Sequence, residues 1–261
     1  MTAASSQLRT FLALCSRDLW VTVRREPGSF LIQALLQPIF FLFVFGRVLP
    51  DIGAAQGDYG AQLLPGVMAL TLVLTALQNT ALPLVIEFSF TKEIEDRLLA
   101  PIGVEWVGAQ KMLIAALRAI VAAALILPLG ALILPGGIDL GAISWGTLLL
   151  VAIPGALTAA AMGLVLGTAV PPQRISIMFA LILTPLIFTG ATFYPWQSLE
   201  NLRWFQVFTL FNPMTYVSEG MRAATTAGPH LGSEWIALGL VVTLVLFWAV
   251  GLRGFRRRAV A

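Results

Sequence analysis

Trp145-Gly-Thr-Leu-Leu-Leu-Val-Ala-Ile-Pro154-Gly-Ala-Leu-Thr-Ala-Ala-Ala-Met-Gly163-Leu-Val-Leu-Gly-Thr-Ala-Val170 runs for 26 residues without an Asp, Glu, Lys or Arg. Spanning the roughly 30 Å hydrocarbon core of a bilayer takes about 20 helical residues, so this stretch reads as a membrane span. Its Gly155, Ala159 and Gly163 recur at spacing four, a stripe of small residues that lets another helix approach closely. Five further apolar stretches flank it, at about Phe30–Leu49, Gln62–Ile86, Lys111–Leu134, Ile175–Thr192 and Trp235–Leu252. The polar or helix-breaking residues inside them, such as Gln78, Asn79, Pro83 and Pro185, are of the kind that neighbouring helices satisfy.

Composition agrees. The 261 residues are 58% apolar and 11% charged, with a mean hydropathy of +0.88. Soluble domains carry roughly 25% charged residues, so most of this surface faces something other than water. One cysteine, Cys15, excludes an intramolecular disulfide, and one histidine, His230, excludes a His-based metal site within the chain. The basic residues are scattered beside the spans, which suits control of topology better than a nucleic-acid-binding stripe.

Six spans put both termini on one side, and the cations say which. The N-terminal segment, the 87–111 loop, the 171–174 turn and the tail hold twelve: Arg9, Arg17, Arg24, Arg25, Lys92, Arg97, Lys111, Arg174, Arg253, Arg256, Arg257 and Arg258. The opposite loops and span ends hold three, Arg47, Arg203 and Arg222, while Arg118 falls within a span. Loops rich in Lys and Arg stay cytoplasmic, so both termini are expected in the cytoplasm. Arg118 has two readings, snorkelling to the interface or lining a polar cavity.

Residues 5–26 precede the first span and read as an amphipathic helix. Leu8, Phe11, Leu12, Cys15, Leu19 and Val23 share one arc, with Arg9, Arg17, Asp18, Arg24 and Arg25 outside it. Such a helix lies in the membrane interface or packs on protein. Pro27-Gly28 ends it.

Motifs for covalent chemistry are missing. The two lysines, Lys92 and Lys111, precede Glu93 and Met112, so neither fits a phosphate-binding P-loop. There is no G-x-S-x-G and no H-E-x-x-H either. The acids sit in loops or near span ends, where a coupling ion finds little to bind. An external energy source or a passive role follows. The charged stretch 88–101 offers a contact for such a source: its leucines can anchor in a partner's groove while its charges set register. A solvated connection between two helices is the plainer alternative.

Three ordered elements carry a family resemblance. Phe90-Thr-Lys-Glu-Ile-Glu-Asp-Arg-Leu-Leu-Ala-Pro101 resembles the cytoplasmic loop of ABC-2-type export permeases, with Ile94-Glu95 where a Gly-Thr often stands. Gly190-Ala-Thr-Phe-Tyr-Pro195 resembles the family's Gly-x-x-Phe-x-Pro element after the fifth span. Asn212-Pro213-Met-Thr-Tyr216-Val-Ser-Glu219-Gly220-Met-Arg222 resembles its Asn-Pro-x-x-Tyr-x-x-Glu-x-x-Arg element before the last. With the six spans, the likeness covers nearly the whole chain and leans toward the daunorubicin-resistance-type drug-export branch.

The resemblance implies an all-α membrane protein with one transmembrane domain over residues 1–261. It would comprise an interfacial helix at 5–26, a coupling helix at 88–101 and a re-entrant outer segment at 193–222. ATPase coupling would fall to Lys92, Glu93, Glu95, Asp96, Arg97, Leu98, Leu99 and Pro101. The exit gate and substrate path would involve Phe193, Tyr194, Trp196, Asn212, Pro213, Tyr216, Glu219 and Arg222, with Glu219 and Arg222 at a spacing suited to pairing. The aromatic rings of this segment also suit a plain membrane-interface role.

The expected partners are separate ABC ATPase subunits, which would bind ATP and Mg, a second permease subunit, membrane lipid and an amphipathic substrate. No cofactor and no nucleic acid are expected on this chain. The function expected is efflux across a bacterial plasma membrane, as in antibiotic resistance. Alternatives are a polysaccharide or glycolipid exporter of the same family, a stand-alone ion-coupled or passive carrier, or a lipid-active membrane enzyme.

Overall fold

A computed structural model describes residues 3–25, 27–54, 59–91 and 103–260, and among these the chain is helical with no strand. Helix α1 (Ala3–Arg25) leads into α2 (Pro27–Phe43), which continues through a π-helical turn (Val44–Val48) and one last turn (Leu49–Asp51). Next come α3 (Tyr59–Ile86), which ends in a second π-turn (Glu87–Thr91), α4 (Val104–Ile133) and α5 (Trp145–Ala169). A 3₁₀ turn (Pro172–Arg174) opens α6 (Ile175–Thr189). The distal segment holds a 3₁₀ helix (Trp196–Leu202), α7 (Arg203–Thr209) and α8 (Pro213–Thr225), before α9 (Ser233–Val260).

Among the described residues six helices are long and apolar enough to cross a membrane, matching the six stretches read from the sequence. Of the boundaries that differ, three have a clear local reason. α4 begins at Val104, two turns before Lys111, with Glu105 in its first turn, where the helix dipole favours an acid. That shift places Lys111 inside the helix rather than at its mouth. α6 ends at Thr189 because Gly190-Ala191 turns the chain, Ala191 taking a left-handed φ of 51°. α9 runs past Leu252 through the tail arginines. The Arg258 guanidinium donates to the carbonyls of Gly167 (3.0 Å) and Thr168 (3.1 Å), capping the C-terminus of α5.

α3 is the central span. Of its most apolar window 89% is buried within the protein, against 6% for α6 and 11% for α2. It packs on α5, α4, α8 and α2, and α5 in turn packs on α9. The small-residue stripe makes the α3–α5 approach possible. A Cβ on Gly163 would sit 2.5 Å from the Leu77 carbonyl oxygen, and one on Gly167 3.0 Å from that of Ala81. The lightly packed spans expose Ile32, Leu36 and Phe40 on α2, Ile177, Leu181 and Phe188 on α6, and Leu238, Val241 and Val245 on α9. Apolar faces of this extent suit lipid or another membrane subunit rather than water.

α1 divides its apolar arc. Phe11 meets Trp106 of α4 edge-on at 5.4 Å and Cys15 is buried, whereas Leu12, Leu19 and Trp20 are exposed. The wheel left Asp18 on the polar side, yet Gln110 Nε2 donates to Asp18 Oδ2 at 2.9 Å. That bond offsets the desolvation that would otherwise keep a carboxylate facing water.

Candidate functional site

The distal segment is built around two charged side chains with almost no access to solvent. Glu219 is 0% exposed and Arg222 2%. Both lie on α8, which Asn212 caps: its Oδ1 accepts from the Met214 amide at 2.9 Å, and Pro213 supplies the pre-set φ of a first helical position. Asn212 Nδ2 also donates to the Leu186 carbonyl and to Thr189 Oγ1, both at 2.9 Å. The start of α8 is thereby tied to the end of α6.

One turn in, the pair forms as the spacing predicts, Arg222 Nε donating to Glu219 Oε1 at 3.2 Å. A buried ion pair holds only if its remaining lone pairs and protons are satisfied. Here the Trp196 amide donates to Glu219 Oε1 (3.1 Å) and the Leu231 amide to Oε2 (2.7 Å). Arg222 Nη1 donates to the Gln62 carbonyl (2.9 Å), and Nη2 to those of Ala191 (2.9 Å) and Tyr194 (3.2 Å). Five pieces of chain meet at this clamp: the start of α3, the turn after α6, the 3₁₀ helix, α8 and the loop before α9. The left-handed Ala191 is part of it, since that conformation belongs to the turn presenting its carbonyl to Arg222; such outliers persist where surrounding structure over-determines them.

The aromatic residues fall into two groups. Phe193 sits among Phe41 (5.4 Å), Phe45 (5.9 Å) and Phe188 (6.0 Å), joining the distal turn to α2 and α6. Trp196 Nε1 donates to the Gln206 carbonyl (3.1 Å), Tyr216 donates to that of Leu210 (2.7 Å) and Tyr194 to that of Phe188 (2.8 Å). Burial pushes the Tyr194 phenol up, so it stays a neutral donor. Trp204, Phe208 and Phe211 are instead more than half exposed, as rings at a membrane surface would be. All eight predicted distal residues thus lie in one connected region, with Phe193 at its α2 edge. Sequence reading missed Gln62, Gln206 and Leu231, all of which take part through backbone groups that carry no side-chain signature.

At the other end, near the termini, lies a second polar cluster. Lys111 Nζ pairs with Glu87 Oε1, each side chain about nine-tenths buried. Arg118 Nη1 donates to Asn79 Oδ1 at 3.1 Å, and Arg118 lines a cavity. The second π-turn opens at Glu87, re-aiming that side chain at the end of the span. Of the coupling segment expected at 88–101, residues 88–91 belong to this π-turn. Lys92, Glu93, Glu95, Asp96, Arg97, Leu98, Leu99 and Pro101 lie outside the described residues. Arg258 reaches the same turn, stacking on Phe88 at 4.9 Å and donating to Ser89 Oγ at 3.2 Å.

A further groove between α2 and α3 collects Gln33, Gln37, Thr71, Thr75, Gln78 and Asn79 around a space of about 30 Å³. The spans read one by one are poor in polar groups; folding gathers several of those few onto one seam.

Fold and site together define a multi-pass helical membrane protein whose short distal helices are locked by a buried ion pair. The family model for the ABC-2 type transporter matches residues 9–225, and the chain belongs to that family of membrane transport permeases. It is similar to a protein of Cyanophora paradoxa named as a transport permease, ycf38, with 26% identity over 221 residues, covering 79% of this chain and 71% of the relative.

Proposed function

We propose that this chain is the membrane-spanning half of an ATP-driven exporter in a bacterial plasma membrane, with both termini cytoplasmic. It works with separate ATPase subunits, which bind ATP and Mg, and with a second permease subunit that is a copy or a homologue. Its cargo is amphipathic or hydrophobic, of the drug-efflux type. The observation that carries the reading is the clamp of Glu219 and Arg222. It makes the distal turns, α8 and the entrance to α3 one mechanical unit, so displacement of α3 from the termini side is transmitted to the distal end. Membership of the ABC-2 type family supports an ATPase as the source of that displacement. The residues 92–101 are the proposed docking point, and Arg258 ties the turn leading into them to the end of α5.

A second reading within the family is export of a glycolipid or polysaccharide, for which the amide side chains on the seam between α2 and α3 would supply donors and acceptors once the helices part, since the space there is about that of one water. Inverted vesicles holding the chain and a co-expressed ABC ATPase separate the readings. ATP-dependent uptake of a fluorescent amphiphilic drug, lost on reversing Glu93, Glu95 and Asp96 to lysine, is the expected result. Equal uptake by the chain alone without ATP would overturn the exporter reading.

A further inference from the structure

The middle of α2 holds two amides that no described residue partners. Gln33 and Gln37 lie within the span Gly28–Asp51, Gln37 near its centre, and both are exposed. Neither side chain hydrogen-bonds to a described residue. Across the seam, by contrast, Thr71 and Asn79 donate to the carbonyls of Val67 (2.8 Å) and Thr75 (2.9 Å) on their own helix. An amide turned toward hydrocarbon without a partner is costly, so polar side chains at this depth point to function.

Beside the amides the helix surface becomes aromatic. Leu36, Gln37, Phe40, Phe41, Val44 and Phe45 border an open groove of about 380 Å³. Small-molecule sites run to roughly 300–1,000 Å³ and are apolar and aromatic with a few placed polar groups. Gln37 borders both the groove and the seam. Gln33, Gln37, Phe41 and Phe45 recur at spacing four and so fall on one ridge, the amides leading into the rings. That ridge ends at the distal clamp, where Phe41 and Phe45 meet Phe193. Val44 and Phe45 also open the π-turn, a form that recurs at functional sites.

The rim favours a small molecule over a neighbouring helix. Membrane helices that touch closely do so over small residues, as α3 and α5 do here at Gly163 and Gly167. Residues 36–45 include no Gly, Ala, Ser or Thr. Bulky side chains one turn apart leave a gap that a flat ring fills and a helix backbone does not approach. Charge is selective too. No Asp, Glu, Lys or Arg borders the groove or the seam, so nothing there balances an ion.

We propose that this face of α2 binds an uncharged amphiphile with an aromatic body and a hydroxyl or amide head. The body lies on Phe40 and Phe41, and the head exchanges hydrogen bonds with Gln37 and Gln33, since a carboxamide both donates and accepts. The inference rests on the reading of the chain as a permease for amphipathic cargo, and it puts that cargo on α2 before the distal clamp.

The test uses the full chain in phosphatidylcholine vesicles, without ATPase or ATP. Three photoactivatable benzophenone ethers differ only in the head: a glycerol diol, a carboxylate and a quaternary ammonium. The diol is expected to label peptides from 28–51 about fivefold more than either charged probe, the worth of one hydrogen bond. Gln37→Leu should cut that labelling about fivefold, and Leu238→Ala, on the exposed face of α9, should leave it unchanged. Equal labelling by the three probes, or labelling confined to other spans, would overturn the proposal whether or not the Gln37 variant folds. A second copy on this face is read separately. Phe40→Cys in a Cys15→Ser background should stay uncrosslinked under copper phenanthroline; a chain–chain disulfide in most of the protein would give the face to the copy and overturn the proposal. Export of the diol by a chain that it does not label on α2 would sink this site and leave the exporter reading standing, and labelling without export would do the reverse.

Discussion

Replacing Glu219 with glutamine tests whether the distal helices are locked as described. The carboxylate accepts three hydrogen bonds, from Arg222 Nε and the Trp196 amide at Oε1 and from the Leu231 amide at Oε2. A glutamine has one acceptor oxygen, and its amide nitrogen must face donors on the other side. Turned one way it confronts the Leu231 N–H; turned the other it confronts both Arg222 and Trp196. Either orientation creates a donor–donor contact and leaves the Arg222 guanidinium, 2% exposed, without a counter-ion. Breaking one side of a buried pair costs about 3–5 kcal/mol. The measurement is equilibrium unfolding of the full chain in mixed micelles titrated with dodecyl sulfate, followed by tryptophan fluorescence. The double variant Glu219→Gln/Arg222→Met removes the stranded charge but orphans the carbonyls of Gln62, Ala191 and Tyr194, at about 1–3 kcal/mol for each buried acceptor. It should therefore remain well below wild type. A single variant within about 1 kcal/mol of wild type, or a double variant restored to it, would refute the clamp.

Gly163→Ala puts a methyl group 2.5 Å from the Leu77 carbonyl and 2.8 Å from Thr80 Cβ, so α3 and α5 must separate at a cost of about 1–3 kcal/mol. Gly146→Ala, with nothing within 4 Å, is the control, and gel filtration with thermal denaturation reads the difference. Asn212→Ala loses the α8 cap and both Nδ2 bonds, and should destabilise by about 1–2 kcal/mol in the same scans, whereas Asn212→Asp keeps the cap acceptor alone and should fall between. Arg258→Ala uncaps α5 and frees Ser89, so amide exchange should quicken in the last turn of α5 and at 87–91; unchanged protection there would count against the anchoring role.

Much of the architecture was legible because its causes are local. A run such as 145–170 spans a bilayer whatever its neighbours do, since in hydrocarbon each backbone amide must find its partner within its own helix. The charge alternation that orders the spans is equally local. Asn212-Pro213 announces a helix start by its own chemistry, and the spacing from Glu219 to Arg222 announces a pair on one helix face. Where expectation and structure part, a distant partner intervened. Asp18 looked solvated until Gln110, far along the chain, supplied a donor. Lys111 looked like the mouth of its span until α4 proved two turns longer, with Lys111 inside it and paired with Glu87.

The sequence by itself thus determined six spans, an even topology, the family, and the short motifs around residues 190–195 and 212–222. Hydropathy and charge sum along the chain, and a motif carries its own spacing. Only the tertiary structure decided what those residues touch: that Glu219 holds the backbones of Trp196 and Leu231, that Arg222 reaches Gln62, and that Glu87 pairs with Lys111. Such pairings depend on how each helix is rotated about its axis and where it crosses the next. Those are set by the whole packed bundle, down to the glycines that let α3 and α5 touch, and no window of sequence contains them.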